Sequence, residues 1–278
     1  KRPAGHSAST RRQRVNAVLS GRIVQRGDNL TISAELVDVR QNKLLWGEQY
    51  DRRVADLLAV KSDIAWEVSQ RLRSQLSGED QQKLRRGLTE NPEAYQLYLK
   101  GRFYWNKREE KDFRKALEFY DQAIALDRNY VLAYTGLADT YALLSTFGFM
   151  PPTEGVPKAR EFARQALALD ESLAEPHTTL AYLSISYDYD FAGAEREFKR
   201  AIQLNPNYAT AHQWYAEFLT FAGRFDEAAA EFRRGLEIEP LSIPINWDYG
   251  RFLYHARRFD EAFAQHKKTI ELDPSFAR

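Results

Sequence analysis

Arg102 precedes Trp105 by three positions, and Arg251 precedes Tyr254 by three. Residues three or four apart share one face of a helix, so each pair sets a guanidinium beside an aromatic ring. Such a pair reads carboxylates and polarised backbone, because the planar guanidinium donates as a fork and stacks on rings. This chemistry recognises a partner and does not break bonds. The chain has no Gly-rich phosphate loop, no His-Glu-x-x-His and no Gly-x-Ser-x-Gly elbow. Its histidines, His6, His177, His212, His255 and His266, are scattered, and cysteine is absent. The absence of cysteine leaves no thiolate metal site and no disulfide framework. No catalytic residue, cofactor or metal is therefore expected.

Balance runs through the composition as well. Lys and Arg number 40 against 39 Asp and Glu, a formal charge of +1. Such a chain has no global attraction to nucleic acid or to an anionic membrane. With 44% hydrophobic and 13% aromatic residues, its 278 residues suffice for one or two folded domains. No run of about 18 apolar residues is present, so no membrane span is expected. The first residue is Lys1 and no signal-peptide core follows, which suggests a piece of a longer chain.

The elements that position the Arg–aromatic pairs follow from a period. Pro206, Pro240 and Pro274 stand 34 residues apart. Between the first two lies PNYATAHQWYAEFLTFAGRFDEAAAEFRRGLEIEP, two helical patterns broken at Gly223. A fixed period in this range means stacked copies of one supersecondary unit. Small residues such as Ala216, Ala228 and Gly235 let helices approach closely, and large ones such as Phe232 fill the hole opposite. Asp226-Glu227 and Asp260-Glu261 start second helices, where negative charge suits the helix dipole. His177 and His212 hold equivalent places in successive copies; packing and a metal role both remain open for them.

The small, aromatic and proline positions recur five times. Gly101, Tyr104, Ala116, Tyr120 and Ala123 mark the first copy, and Leu137, Ala138, Tyr141, Ala159 and Ala166 the second. Ala181, Ala194, Phe198 and Ala201 mark the third, Ala216, Ala228 and Phe232 the fourth, and Gly250, Leu253 and Ala262 the fifth. This pattern resembles the tetratricopeptide repeat family over about 92–274. The resemblance implies a right-handed α-α superhelix whose first helices line a concave groove for a protein or peptide partner. The positions facing that groove would be Tyr98, Arg102, Trp105, Asp139, Tyr182, Gln213, Glu217, Trp247, Arg251 and Tyr254. The Lys/Asn clamp by which some members grip a terminal carboxylate is not reproduced.

Two departures from the period stand out. Residues 145–157, STFGFMPPTEGVP, lengthen the second copy, and NKREEKD lengthens the first. Phe147, Phe149 and Met150 form either a partner-binding flap or a segment folded back on neighbouring helices. After Asp273-Pro274 no polar capping helix follows, so another molecule, including a second copy of the chain, could cover the last repeat.

Before the helices the period is two. Leu30, Ile32, Ala34 and Leu36 alternate with polar neighbours, as do Leu19, Gly21 and Ile23. Turn residues at Arg26–Asn29 and Arg40–Lys43 divide three strands. Leu57, Val60, Ile64, Val68, Leu72 and Leu76 then form one helical stripe. The segments VLSGRI, GDNLTISAELVD, LWGEQYDR and DLLAVKSDIA together resemble the TolB-like domain of bacterial envelope and signalling proteins, without its first strand and helix.

The expected fold is mainly α, with about five helical hairpins after a small α+β segment of a three-stranded meander plus a helix. Residues 1–14 form a basic arm or linker, 15–76 the α+β segment, 77–91 a connector and 92–278 the solenoid. The hairpins fall at 92–128, 129–171, 172–206, 207–240 and 241–274. The expected function is a non-enzymatic interaction scaffold. The alternative is the regulatory half of a larger bacterial Ser/Thr kinase or winged-helix regulator, on its cytoplasmic or periplasmic side.

Overall fold

The structure, a computed structural model, describes residues 17–26, 29–38, 43–53, 89–274 and 276. The basic arm 1–14, the expected helix Leu57–Leu76, the connector up to residue 88 and the centres of both strand turns lie outside them. The chain divides into two units, Lys1–Gln81 and Gln82–Arg278.

The first unit holds an antiparallel meander of β1 (Ala17–Arg26), β2 (Asn29–Asp38) and β3 (Lys43–Arg53), in the order β1-β2-β3. Ile32 lies opposite Tyr50 and Leu36 opposite Trp46. With Ala34 these four side chains are buried, so period two does place one apolar face. Thr31 Oγ1 donates to Asp51 Oδ1 at 2.6 Å between exposed positions of the neighbouring strands.

Among the described residues of the second unit, ten helices pair into five hairpins. They are α1 (Pro92–Lys107) with α2 (Glu110–Leu126), and α3 (Val131–Thr146) with α4 (Pro152–Leu169). α5 (Ala174–Leu183) runs on through a single π turn, Ser184–Asp188, and pairs with α6 (Phe191–Leu204). α7 (Ala209–Phe221) pairs with α8 (Phe225–Ile238), and α9 (Ile243–His255) with α10 (Phe259–Leu272). Asn91 starts the series: its side chain accepts from the backbone N–H groups of Glu93 and Ala94, and Pro92 occupies the first helical position.

Each hairpin turn contains one residue in the left-handed region, namely Arg108, Gly148, Tyr189, Gly223 and Arg257. That backbone reverses the chain while the helix-ending carbonyls keep partners. Between hairpins Asp127, Asp170 and Asn205 each accept from the backbone N–H two residues on, a turn that starts the next first helix.

Packing repeats with the sequence period. Phe198 lies 5.5 Å from Tyr215, and Phe232 lies 5.7 Å from Tyr249. Tyr120 of α2 is wedged between Gly101 and Gly136, where a Cβ on either glycine would collide with its ring. His177 pairs with Glu197 at 2.6 Å and His212 with Glu231 at 2.5 Å, each joining a first helix to its own second helix. In the fifth hairpin Gln265 donates to Asn246 Oδ1 at 2.8 Å in the same relation. These contacts decide the open question about the two histidines in favour of hairpin packing. Among the described residues no group of three or more His, Cys, Asp or Glu is placed to hold a metal.

The extra residues mostly lengthen helices, with 147–151 as a short turn between α3 and α4. NKREEKD extends α1 and α2 toward each other across Arg108-Glu109, and most of 145–157 lies in the ends of α3 and α4. Phe147 and Phe149 fold back to within 5.8 and 6.4 Å of Phe113. No helix among the described residues is long and apolar enough to cross a membrane.

Candidate binding groove

The first helices α1, α3, α5, α7 and α9 pack against one another in succession, and each second helix backs onto its own and the following first helix. The first helices are therefore the inner layer. Their buried faces carry polar residues that a plain core would lack: Thr135, Asp139 and Thr140 on α3, Thr178 and Thr179 on α5, Gln213 on α7 and Asp248 on α9.

Toward the first repeats the inner layer is closed. Arg102 places its guanidinium 4.2 Å from the centre of the Trp105 ring and 3.6 Å from Asp139 Oδ2. Thr179 Oγ1 donates to Asp139 Oδ1 at 2.5 Å. Burial pushes the Asp139 carboxyl up to about 6, against the pull of Arg102 and the Thr179 hydrogen bond. Tyr98 is half-buried, 5.4 Å from Tyr130 and 5.9 Å from Tyr120, and burial raises its phenol. Trp105 is 1% exposed and lies 6.3 Å from Trp214. It is a buried wedge and not a groove-exposed anchor, and Arg102, expected to face a partner, is held by Trp105 and Asp139.

Toward the last repeats the layer opens into a cleft of about 270 Å³. Tyr182 and Trp214 form one wall with ring centres 4.6 Å apart, and Leu143, Phe147 and Phe218 complete the apolar part. The polar part is Gln213, Glu217, Asp248 and Arg251, with Arg108 reaching in from the end of α1. Gln213 Nε2 donates to Asp248 Oδ2 at 2.6 Å. Arg251 lies 3.4 Å from Asp248 Oδ1 and 3.9 Å from Glu217 Oε1. Burial, then the neighbouring Asp248, pushes the Glu217 carboxyl up to about 8.

Of the ten expected groove positions, Tyr182, Gln213, Glu217 and Arg251 come together in this cleft, although Gln213 is buried as a wall residue. Tyr98, Arg102, Trp105 and Asp139 form the closed cluster. Trp247 and Tyr254 line neither. Trp247 packs 4.5 Å from His266 of α10, and Tyr254, 61% exposed, lies 5.5 Å from Phe259. Asp248, Trp214 and Arg108 were not anticipated. The available signal was a carboxylate and a large aromatic within otherwise apolar first helices.

The tetratricopeptide repeat family model matches residues 187–244. A thermophilic tetratricopeptide repeat protein of Thermus thermophilus superimposes with a TM-score of 0.50 at 20% identity, over 66% of this chain and 92% of that one. The helical unit thus has the fold of a tetratricopeptide superhelix, and residues 187–244 match the repeat itself. Among curated relatives, a Rhizobium meliloti (strain 1021) protein named "Putative adenylate cyclase 3" is 28% identical over 182 residues, 62% of this chain and 30% of its own length. The Salmonella typhimurium transcriptional regulator HilA is 23% identical over 222 residues, 76% of this chain and 37% of its own. The chain thus spans about a third of the length of the curated relatives it matches. The cleft draws on all five hairpins, from Arg108 after the first helix to Arg251 of α9, so its shape depends on their stacking.

Proposed function

We propose that the chain is a non-enzymatic interaction module whose concave groove holds an extended segment of a protein partner. The observation that carries this is the cleft on the inner layer. There an aromatic wall of Tyr182 and Trp214 faces hydrogen-bonding and charged groups on α7 and α9. Aromatic and Arg side chains in partly desolvated pockets are the usual anchors of protein interfaces. Selection of a displayed random nonapeptide library on the full chain tests it. The expected result is enrichment of a peptide set whose binding falls at least tenfold on Tyr182→Ala, with the helical circular dichroism unchanged. Enrichment no greater than on an unrelated helical protein overturns the reading.

A second reading places the unit in a larger bacterial signalling protein. It is supported by the one-third coverage of a transcriptional regulator and of a protein named as a cyclase, and by the TolB-like resemblance of the strand segment. Sequencing the gene upstream of the Lys1 codon tests it. An in-frame DNA-binding, kinase or cyclase domain supports it, and a start codon immediately before Lys1 overturns it.

A further inference from the structure

We propose that the cleft between α5, α7 and α9 is the subsite for one arginine or lysine side chain of the bound segment, whose cation sits between the Glu217 and Asp248 carboxyls. This rests on the groove reading above and names the residue class the groove selects.

The closed half of the inner layer supplies the pattern. There the chain's own Arg102 lies over the Trp105 ring at 4.2 Å, with Asp139 3.6 Å away. The open half also brings aromatic rings and carboxyls together, around a cleft of about 270 Å³ in which Arg251 is only loosely held. Tyr182 and Trp214 form the aromatic wall, and a cation is attracted to such rings most when it is desolvated. Glu217 and Asp248 offer two carboxyls from neighbouring helices. Gln213 holds Asp248 Oδ2 at 2.6 Å, and Arg251 reaches Asp248 Oδ1 at 3.4 Å.

Arg251 does not neutralise the pair. Its distances of 3.4 and 3.9 Å exceed the roughly 2.7–2.9 Å of a strong charge-assisted hydrogen bond, and its side chain is 41% exposed. It can therefore swing aside at little cost. The charged and titratable groups around Glu217 are Asp248, Arg251 and His255 of α9, Arg108 at the end of α1 and Tyr182 of α5. Asp248 and burial outweigh both arginines, so in the empty cleft Glu217 keeps its proton up to about pH 8. An entering cation replaces that proton, which passes to solvent. Binding of a basic side chain therefore strengthens as pH rises toward 8, and below that it releases up to one proton. An acidic side chain would turn to Arg251 and Arg108 and leave the Glu217 proton in place, so it would bind without proton release.

The peptides enriched by the nonapeptide selection test this directly. The expected outcome is Arg or Lys at one position, with at least tenfold loss when that residue becomes Ala. Calorimetry of an enriched Arg-containing peptide at pH 6.0, 7.0 and 8.5, in buffers of different ionisation heat, should show affinity rising with pH and proton release at pH 7.0. Glu217→Gln should abolish both the release and the pH dependence. The proton count on the unsubstituted chain tests the same point without any variant. Enrichment without a basic residue, enrichment of Asp or Glu, or binding without proton release overturns the proposal and leaves the groove reading standing. No enrichment at all overturns both.

Discussion

Arg102 and Arg251 each precede an aromatic residue by three positions and lie near an aspartate of a first helix, yet they end in opposite surroundings. Trp105 is 1% exposed while Tyr254 is 61% exposed. Asp139 is held by Thr179 and Arg102, whereas Asp248 is held by Gln213 and only loosely by Arg251. The difference lies in what stands across the groove. Beside Arg102, Tyr98, Tyr208 and Glu175 interact with the same guanidinium and close the layer. Around Arg251 the facing residues leave the cleft. The same local spacing therefore serves packing in one half and remains available for binding in the other.

The sharpest break between the halves is expected at the aromatic partners. Trp105→Ala removes a fully buried indole and should cost about 3–5 kcal/mol, read as a lowered midpoint in urea unfolding. Tyr254→Ala should stay within about ±0.5 kcal/mol. Equal losses in the two variants would dissolve the distinction. The next effect is at the carboxylates. Asp139→Ala leaves the Thr179 hydroxyl only the Glu175 carbonyl at 3.3 Å and loosens Arg102 in a buried place, an expected cost of about 1–3 kcal/mol. Thermal melts of that variant beside Thr179→Val should show non-additive losses in the double variant, because the two share one hydrogen bond.

The period in the sequence located the hairpins, since small residues at fixed spacing are what close helix approach requires. Gly101 and Gly136, clamped on Tyr120, carry that signal fully. Depth in the groove was not legible. A period says which face of a first helix looks inward, but closure over it depends on side chains from repeats one or two further on. Asp139 meets Thr179 across 40 residues, and Gln213 meets Asp248 across 35. Neither distance is the repeat length. For the inserted residues the sequence left two outcomes open, a flap or a fold-back, and Phe147 and Phe149 turn in on Phe113 as the second has it.

The open half should also leave a mark on pH dependence. Glu217 is raised to about 8 from an ordinary 4.5, so between those values the folded chain holds a proton that the unfolded chain has lost. Stability then falls as pH rises through that window. Asp139, raised to about 6, adds in the same sense from about 4 to 6. Glu195, held down at about 2 by Lys199 and Arg224, acts oppositely, and its contribution is lost as pH falls below its ordinary value. Glu217→Gln should melt a few degrees above the parent at pH 8.5 and close to it at pH 5, which differential scanning calorimetry at both values would check. A constant offset at both would mean that Glu217 does not titrate in the window.

The smallest expected effect separates the two halves at their turns. Arg108 and Arg257 both adopt left-handed backbone, with φ of 60° and 59°, and the equivalent position one repeat before Arg257 is Gly223 with φ of 75°. A side chain in that conformation costs roughly 1–2 kcal/mol, which glycine avoids. Glycine in turn adds about 0.5–1 kcal/mol of unfolded-state freedom. Arg257 is exposed, so Arg257→Gly should raise stability by roughly 0.5 kcal/mol, the difference of those two terms. Arg108 is different: its guanidinium lies 3.4 Å from the centre of the Trp105 ring, and the residue is 5% exposed. Arg108→Gly gains the same backbone relief and loses that buried contact, a cation–π interaction of about 2 kcal/mol when desolvated, so it should lower stability. Opposite signs in parallel denaturant titrations are the expected result. Stabilisation by both substitutions would mean that the Arg108–Trp105 stack contributes nothing, and that the closed half owes its closure to the tyrosines and Arg102 alone.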